Sequence, residues 1–187
     1  VLDRKTGQVH HRAFSDLMSH LREGDVLVVN NTKVFKARLF GRRSTGGKVE
    51  VFLVRRRPDL EGEIWEALAR PSRRLKPGEP VFFDERDRLE LAEDLHTGTW
   101  LVRFSSKTAR ERIVGRYGHV PLPQYIKRPD LKSDIRRYQT LFARKDKVGA
   151  VAAPTAGFHF TGPVLDQMKQ LGVRIVEVTL HVGPGTF

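Results

Sequence analysis

The sequence contains no cysteine among its 187 residues, only two methionines and two tryptophans, and 22 acidic side chains against 34 lysines and arginines. The missing cysteines exclude disulfides, thiolate zinc sites and a cysteine nucleophile. No apolar run approaches the roughly 18–20 residues of a membrane span, and no basic-then-apolar leader opens the chain. Also missing are GxGxxG, GxxxxGKS/T and GxSxG, the patterns of dinucleotide folds, P-loops and serine-hydrolase elbows. Neither an HxxxH spacing nor a carboxylate cluster occurs, so no metal site is expected. These absences fit a cytoplasmic address. What is present reads as globular: 39% apolar residues together with 16 glycines can supply a core, which a disordered tail could not. The length suits one domain or two small ones. Val1 in place of methionine and a glycine-rich stop at Phe187 point to a piece of a longer chain.

The formal net charge of +12 is unevenly spread. Residues 1–32 and 148–187 are neutral, residues 33–76 carry +8, residues 77–102 carry −5 and residues 103–147 carry +9. The two basic stretches include Arg55-Arg56-Arg57, Arg73-Arg74 and Arg136-Arg137. Any one pair is explained by a solvated surface. The concentration as a whole favours a polyanionic partner, because clustered cations gain affinity by releasing condensed counterions.

The pattern along the chain divides it. Val1–Asp3 and Gln8–Phe14 flank Thr6-Gly7 as a hairpin, and Ser15 caps a short helix with Leu17, Met18 and Leu21 on one face. Val26–Val29 is a continuous apolar run, the mark of a strand covered on both sides. From Ala37 to Phe104, short β-rich runs (37–40, 48–54, 64–69, 81–83, 89–92 and 99–104) alternate with Gly46-Gly47, Pro77-Gly78 and Thr97-Gly98 turns. They predict a small antiparallel barrel or sandwich. Helices are expected near Thr108–Val114, from Ser133 with Asp134, Tyr138 and Phe142 on one side, and after Thr161 with Val164, Leu165, Met168 and Leu171 as its buried stripe. Val148–Ala152, that last helix and Val173–Leu180 read as a βαβ unit with parallel pairing. The expected fold is therefore an α/β domain with parallel strands, an open sheet or partial barrel, formed by residues 1–37 and 117–187 and interrupted by an inserted antiparallel β-barrel over 38–116.

Polar loops at 30–33, 153–160 and 181–187 each follow the carboxyl end of an expected parallel strand, where α/β sheets bind ligands. Together they offer Asn30, Asn31, Thr32, Lys33, Thr155, His159, His181 and Thr186, with Gly157, Gly183 and Gly185 able to bring backbone N–H groups close to a ligand. Singly, His159 and His181 read as hydrogen-bonded structural histidines. Their shared sheet edge raises acid–base work or ligand orientation. Asp134 and Tyr138 fit either a local bond or a ligand contact. His10-His11, His20, His96 and His119 carry no functional reading.

Five blocks now stand in order: Val29–Val34 with Ala37-Arg38-Leu39; His119–Pro123 with Tyr125-Ile126 and Arg128; Asp134 with Arg137-Tyr138-Gln139-Thr140; Ala152–Gly157 with His159-Phe160-Thr161; and His181-Val182-Gly183 with Gly185-Thr186-Phe187. End to end, the chain resembles the S-adenosylmethionine:tRNA ribosyltransferase-isomerase family of queuosine biosynthesis. The resemblance implies transfer and isomerisation of the ribosyl group of S-adenosylmethionine onto 7-aminomethyl-7-deazaguanine at the tRNA wobble position, with adenine and methionine released. S-adenosylmethionine would then be a consumed substrate, with no cofactor and no metal, and the protein a cytoplasmic monomer.

The implied chemistry begins with loss of a ribose 5′ proton acidified by the sulfonium. Departure of adenine and attack by the aminomethyl nitrogen follow, and these steps need a base and a proton donor. On this resemblance His159 or His181 serves as acid or base, and Asp134 holds the substrate ammonium or shares proton work. Asn30, Asn31, Thr155 and Thr186 position ribose, adenine or the methionine carboxylate, while Lys33, Arg38 and Arg128 meet phosphate or carboxylate. Thr32, Tyr138 and Gln139 complete the binding set. The sequence departs from the family pattern at Lys36 and Gln124, where proline is usual, and at Phe158 and Pro184, where leucine is usual; members are also nearly twice as long. The rival readings are a non-catalytic RNA-binding module and a different enzyme acting on a small phosphorylated substrate.

Overall fold

In the computed structural model the described residues are 1–96 and 98–186, with Thr186 described by its backbone alone. Thr97 of the predicted Thr97-Gly98 turn, and Phe187, lie outside them.

The strands in chain order are β1 (Val26–Asn30), β2 (Lys33–Val34), β3 (Arg38–Arg42), β4 (Lys48–Arg56), β5 (Glu63–Arg70), β6 (Glu79–Phe82), β7 (Arg88–Asp94), β8 (Thr99–Phe104), β9 (Gly118–His119), β10 (Val148–Ala150) and β11 (Arg174–Val178). The helices are α1 (Lys107–Tyr117), α2 (Asp134–Arg137) and α3 (Gly162–Gln170).

The predicted all-β part is a closed six-stranded antiparallel barrel. Its strands run in the order β3-β4-β5-β8-β7-β6, and β6 returns to β3 through Arg42 opposite Phe82. Period-two alternation sends one side of every strand inward. Leu39, Val51, Leu53, Ala67, Val81, Leu91 and Val102 are fully buried, and Trp100 and Phe104 fill the remaining space. Closure removes the free edges an open sheet would expose. Ser106 accepts the Ala109 N–H to start α1, and Ile113 of that helix joins the barrel core.

The parallel part differs from expectation. β1 pairs in parallel with β11 over five residues, and β2 pairs in parallel with β10. The βαβ reading made β10 and β11 partners, but residues 26–34 run past both and take an edge of each. The two pairs meet end to end, with the Asn31 N–H donating to Val178 O, the Lys33 N–H to Lys147 O and the Val151 N–H to Val182 O. The apolar run of β1 is not covered on both sides either. Val29 is buried, but Val26 is 46% and Val28 58% exposed, because among the described residues nothing lies on that face of the two-stranded sheet.

The helices also differ from expectation. The segment from Ser133 is helical only to Arg137, so Phe142 shares no helix face with Asp134 and Tyr138. The cause is a partner distant in sequence: Gln139 bonds the backbone of Val34, which draws the chain off the helical path. In α3, Met168 is fully buried while Leu171 lies past the last turn and is exposed. Residues Phe14–His20 form a 3₁₀ helix whose N-cap position is Ala13, so Ser15 lies inside it and does not cap it; Asp16 of the first turn accepts the Ala13 N–H. Among the described residues no helix is long and apolar enough to cross a membrane.

Candidate active site

A cleft of about 1160 Å³ opens between the barrel and the β2–β10 pair, somewhat larger than the roughly 300–1,000 Å³ of small-molecule sites. The barrel side contributes Trp65 of β5, Arg55 and Arg56 of β4, and Lys107 and Arg110 of α1. The opposite side contributes Lys33, Gln139, Gly149, His181 and Gly183. Phe35 and Trp65, with ring centroids 5.7 Å apart, give it an aromatic wall, and the Arg110 guanidinium sits 5.4 Å from the Trp65 ring. A register shift between Leu53 and Arg55 bends β4 where its arginines line the cleft.

Charges here are partly compensated. Glu63, buried inside β5, accepts from Trp65 Nε1 at 2.8 Å and Arg110 Nε at 3.0 Å, with Arg56 at 3.3 Å. Burial alone would raise its pKa, but the Trp65 and Arg110 bonds outweigh burial and hold the carboxyl below its ordinary range. Arg55 forks onto Glu66 at 2.7 and 2.8 Å. Lys33, Lys107 and Lys145 have no ion pair among the described residues, which leaves the cleft positive overall.

His181 is the titratable ring of this cleft. Its Nδ1 lies 2.7 Å from the hydroxyl of Thr32, a residue only 1% exposed, so one nitrogen is held from inside the fold. The ring rests on Gly149, where a Cβ would stand 2.7 Å from Nε2. The preceding loop supplies the support. Asn30 donates to Leu180 O at 2.8 Å and accepts the Thr32 and Leu180 N–H groups. Asn31 donates to Glu177 at 2.9 Å and accepts from the Thr179 hydroxyl at 2.7 Å. Arg144 and Asn31 together hold the Glu177 carboxyl below its usual range. Of the two asparagines, read from sequence as substrate contacts, Asn30 ties Thr32 to Leu180 beside His181, and Asn31 spends its amide on Glu177 and Thr179.

The other expected site residues are dispersed. His159 stacks on Phe14 at 5.2 Å and does not line the cleft. Gly157 donates its N–H to Pro154 O and lies so close to Thr140 that a Cβ would stand 2.7 Å from its methyl. Thr155 is exposed in the 3₁₀ turn Thr155–His159. Gly185 has open space about it. Tyr138 is buried against Phe158, its pKa raised by burial and opposed by the Ala153 backbone. Arg38 Nε is 2.9 Å from Glu50, outside the cleft.

Asp134 and Arg128 satisfy one another. Arg128 forks onto the buried carboxylate at 2.7 and 3.0 Å, and the Leu131 N–H donates to it at 2.7 Å. The Arg128 bonds first, and then that backbone bond, hold Asp134 down at about 2. A depressed carboxylate stabilises the fold above its unfolded value of about 3.9, and that contribution disappears as pH falls through about 2. Asp134→Asn is therefore expected to lower the melting temperature at pH 7 and to flatten its fall between pH 4 and 2. Thermal melts across that range check this; curves parallel to wild type refute it. Among the described residues no three histidine, aspartate or glutamate side chains group as metal ligands.

Residues 1–187, the whole chain, match the family described as queuosine biosynthesis protein. The chain belongs to this family. Proteins called S-adenosylmethionine:tRNA ribosyltransferase-isomerase from Rubrobacter xylanophilus and Pelobacter propionicus are 48% and 44% identical to it, over all of this chain and 53% and 54% of their own lengths. One from Desulfitobacterium hafniense is 46% identical over all of this chain and 53% of its own. The chain spans about half the length of the curated relatives it matches. The crystal structure of S-adenosylmethionine tRNA ribosyltransferase from Thermotoga maritima matches 97% of this chain and 49% of its own, at 28% identity and a TM-score of 0.38.

Three of the positions expected to depart from the family pattern, Lys36, Phe158 and Pro184, have defined surroundings. Lys36 donates to Gly115 O at 2.7 Å and ties the β2 side of the cleft to α1. Phe158 packs on Tyr138, and Pro184 opens the 3₁₀ turn Pro184–Thr186. Sequence reading missed Glu63, Trp65, Arg110, Glu177 and Arg144. The available signal was Glu63 itself, an acid at the position in β5 whose neighbours two residues apart are apolar and inward-facing.

Proposed function

We propose that this chain forms part of an S-adenosylmethionine:tRNA ribosyltransferase-isomerase. Its likeness to relatives of that name over its full length supports the reading. The observation that carries it is His181, held by the buried Thr32 hydroxyl and lining a positive cleft large enough for a nucleoside and the end of a second reactant. Residues 1–37 and 117–187 act as the catalytic domain and 38–116 as an inserted barrel that supplies the Trp65 wall and part of the positive rim. His181 exchanges the proton, with Thr32 fixing its orientation through Nδ1. Lys33, Lys107 and Lys145 attract the phosphates of tRNA or the methionine carboxylate. The fixed ion pair with Arg128 makes Asp134 a support for the 128–138 segment, not a proton carrier. S-adenosylmethionine is consumed, tRNA bearing the aminomethyl-deazaguanine base is the acceptor, and the protein works as a cytoplasmic monomer.

Incubating the protein with S-adenosylmethionine and that tRNA is expected to release adenine only when both are present. Methylated tRNA, or no adenine, overturns the reading. Salt-dependent tRNA binding without any effect of S-adenosylmethionine would favour a non-catalytic RNA-binding module.

A further inference from the structure

A second basic groove, of about 920 Å³, lies on the outer wall of the barrel and includes none of the cleft residues. It gathers Arg42, Lys48, Arg70, Arg73 and Arg74, all exposed, beside Phe40, a residue 53% exposed. Most other barrel arginines have an acidic partner: Arg43 has Glu79, Arg55 and Arg57 share Glu66, Arg56 and Arg110 share Glu63, Arg103 has Glu90 and Arg112 has Asp87. In the groove, Lys48, Arg70, Arg73 and Arg74 have no ion pair among the described residues, and Arg42 reaches only the Gly46 carbonyl. The one carboxylate present, Glu50, pairs with Arg38.

The pairing register makes this arrangement unfavourable without a ligand. Arg42 stands directly opposite Lys48 across β3 and β4, and Arg73 adjoins Arg74 in the 3₁₀ turn Ser72–Arg74. Like charges opposed on a sheet repel. Phe40 stands on the same face as Arg42, two residues away, in edge contact with His119 but otherwise open. Cations along a groove with an available aromatic face are the chemistry of an RNA strand, whose phosphates take the cations and whose unpaired base stacks on the ring.

We propose that this groove holds a strand of the substrate tRNA away from the reacting base, as a second RNA contact. The proposal rests on the tRNA reading above and assigns the barrel a docking role separate from the cleft. The test is binding of the protein to a tRNA transcript by fluorescence anisotropy over a series of salt concentrations. Arg73→Ala/Arg74→Ala is expected to reduce the slope of log affinity against log salt by about 1.5, since each lost phosphate contact removes about 0.7–0.9. Phe40→Ala is expected to weaken binding about tenfold with the slope unchanged. Arg103→Ala, which removes an ion-paired charge elsewhere on the barrel, serves as the charge control and should change the slope by less than half as much.

Arg42→Gln/Lys48→Gln tests the same groove from other strands, so a folding defect in one pair leaves the other decisive. Slopes equal to wild type in both pairs, or an equal change in the Arg103 control, overturn the groove. If the wild-type protein binds no tRNA, groove and substrate reading fall together. If groove variants lose slope while the wild type releases no adenine, the groove stands and the enzymatic reading fails.

Discussion

Replacing His181 with alanine is expected to cut tRNA-dependent adenine release by about 10²–10⁴-fold, the usual contribution of a positioned acid or base, while tRNA affinity stays within about twofold. Among the histidines, this ring alone lines the cleft, and its Nδ1 contact with Thr32 separates its two nitrogens by role. Thr32→Val keeps the shape and removes the hydroxyl, so turnover should fall about tenfold, because the ring loses the partner that sets its orientation and tautomer. His159→Ala should lose less than His181→Ala, since its ring is stacked on Phe14 and borders no part of the cleft. Near-normal turnover in His181→Ala, or a larger loss in His159→Ala, would remove His181 from the proton-transfer step. The measurement is single-turnover adenine release at several pH values, with tRNA binding recorded separately.

The barrel was legible because its cause is local. Leu39, Val49-Val51-Leu53, Ala67-Ala69, Leu89-Leu91 and Trp100-Val102-Phe104 repeat an inward residue every second position, and glycine marks the turns, so strands could be read without knowing their partners. The site was less legible because its logic is long-range. Asn31 looks the same in sequence whether its amide meets a ligand or Glu177, 146 residues away. Gln139 ends a helix through bonds to Val34, 105 residues distant, which no helical periodicity contains. Asp134 and Arg128 are only six apart, yet nothing in their spacing says that the carboxylate is buried and already satisfied. The apolar run 26–29 reports what a strand can bury, not what covers it; Val28 remains exposed here. Charge behaves likewise. The basic stretches were visible as sums, but only folding shows which arginines meet a carboxylate and which face open solvent together, and that difference separates the groove from the rest of the barrel wall.

The largest stability effect is expected at the seam where the barrel closes. Gly41→Ala would place a Cβ 2.5 Å from Val81 Cγ1 and 2.8 Å from the Phe82 carbonyl oxygen. Val81 is fully buried, and the β3–β6 seam is registered by the single pair Arg42–Phe82, so neither neighbour can yield without loosening closure. Overpacking of this kind costs about 1–3 kcal/mol, and the upper end is expected because one of the two obstacles is backbone. For a chain of this size that corresponds to a melting temperature lower by about 6–12 °C. Gly115→Ala provides the opposite sign. Gly115 lies within α1 with nothing within 4 Å of an added Cβ, so alanine should stabilise by about 0.5–1 kcal/mol through helix propensity. Adding Val81→Ala to Gly41→Ala removes the side-chain clash and leaves the carbonyl one. The double variant should therefore be less destabilised than the sum of the two single changes. Strict additivity in urea melts, or a Gly41→Ala protein that melts with wild type, would show that the seam does not depend on this close approach.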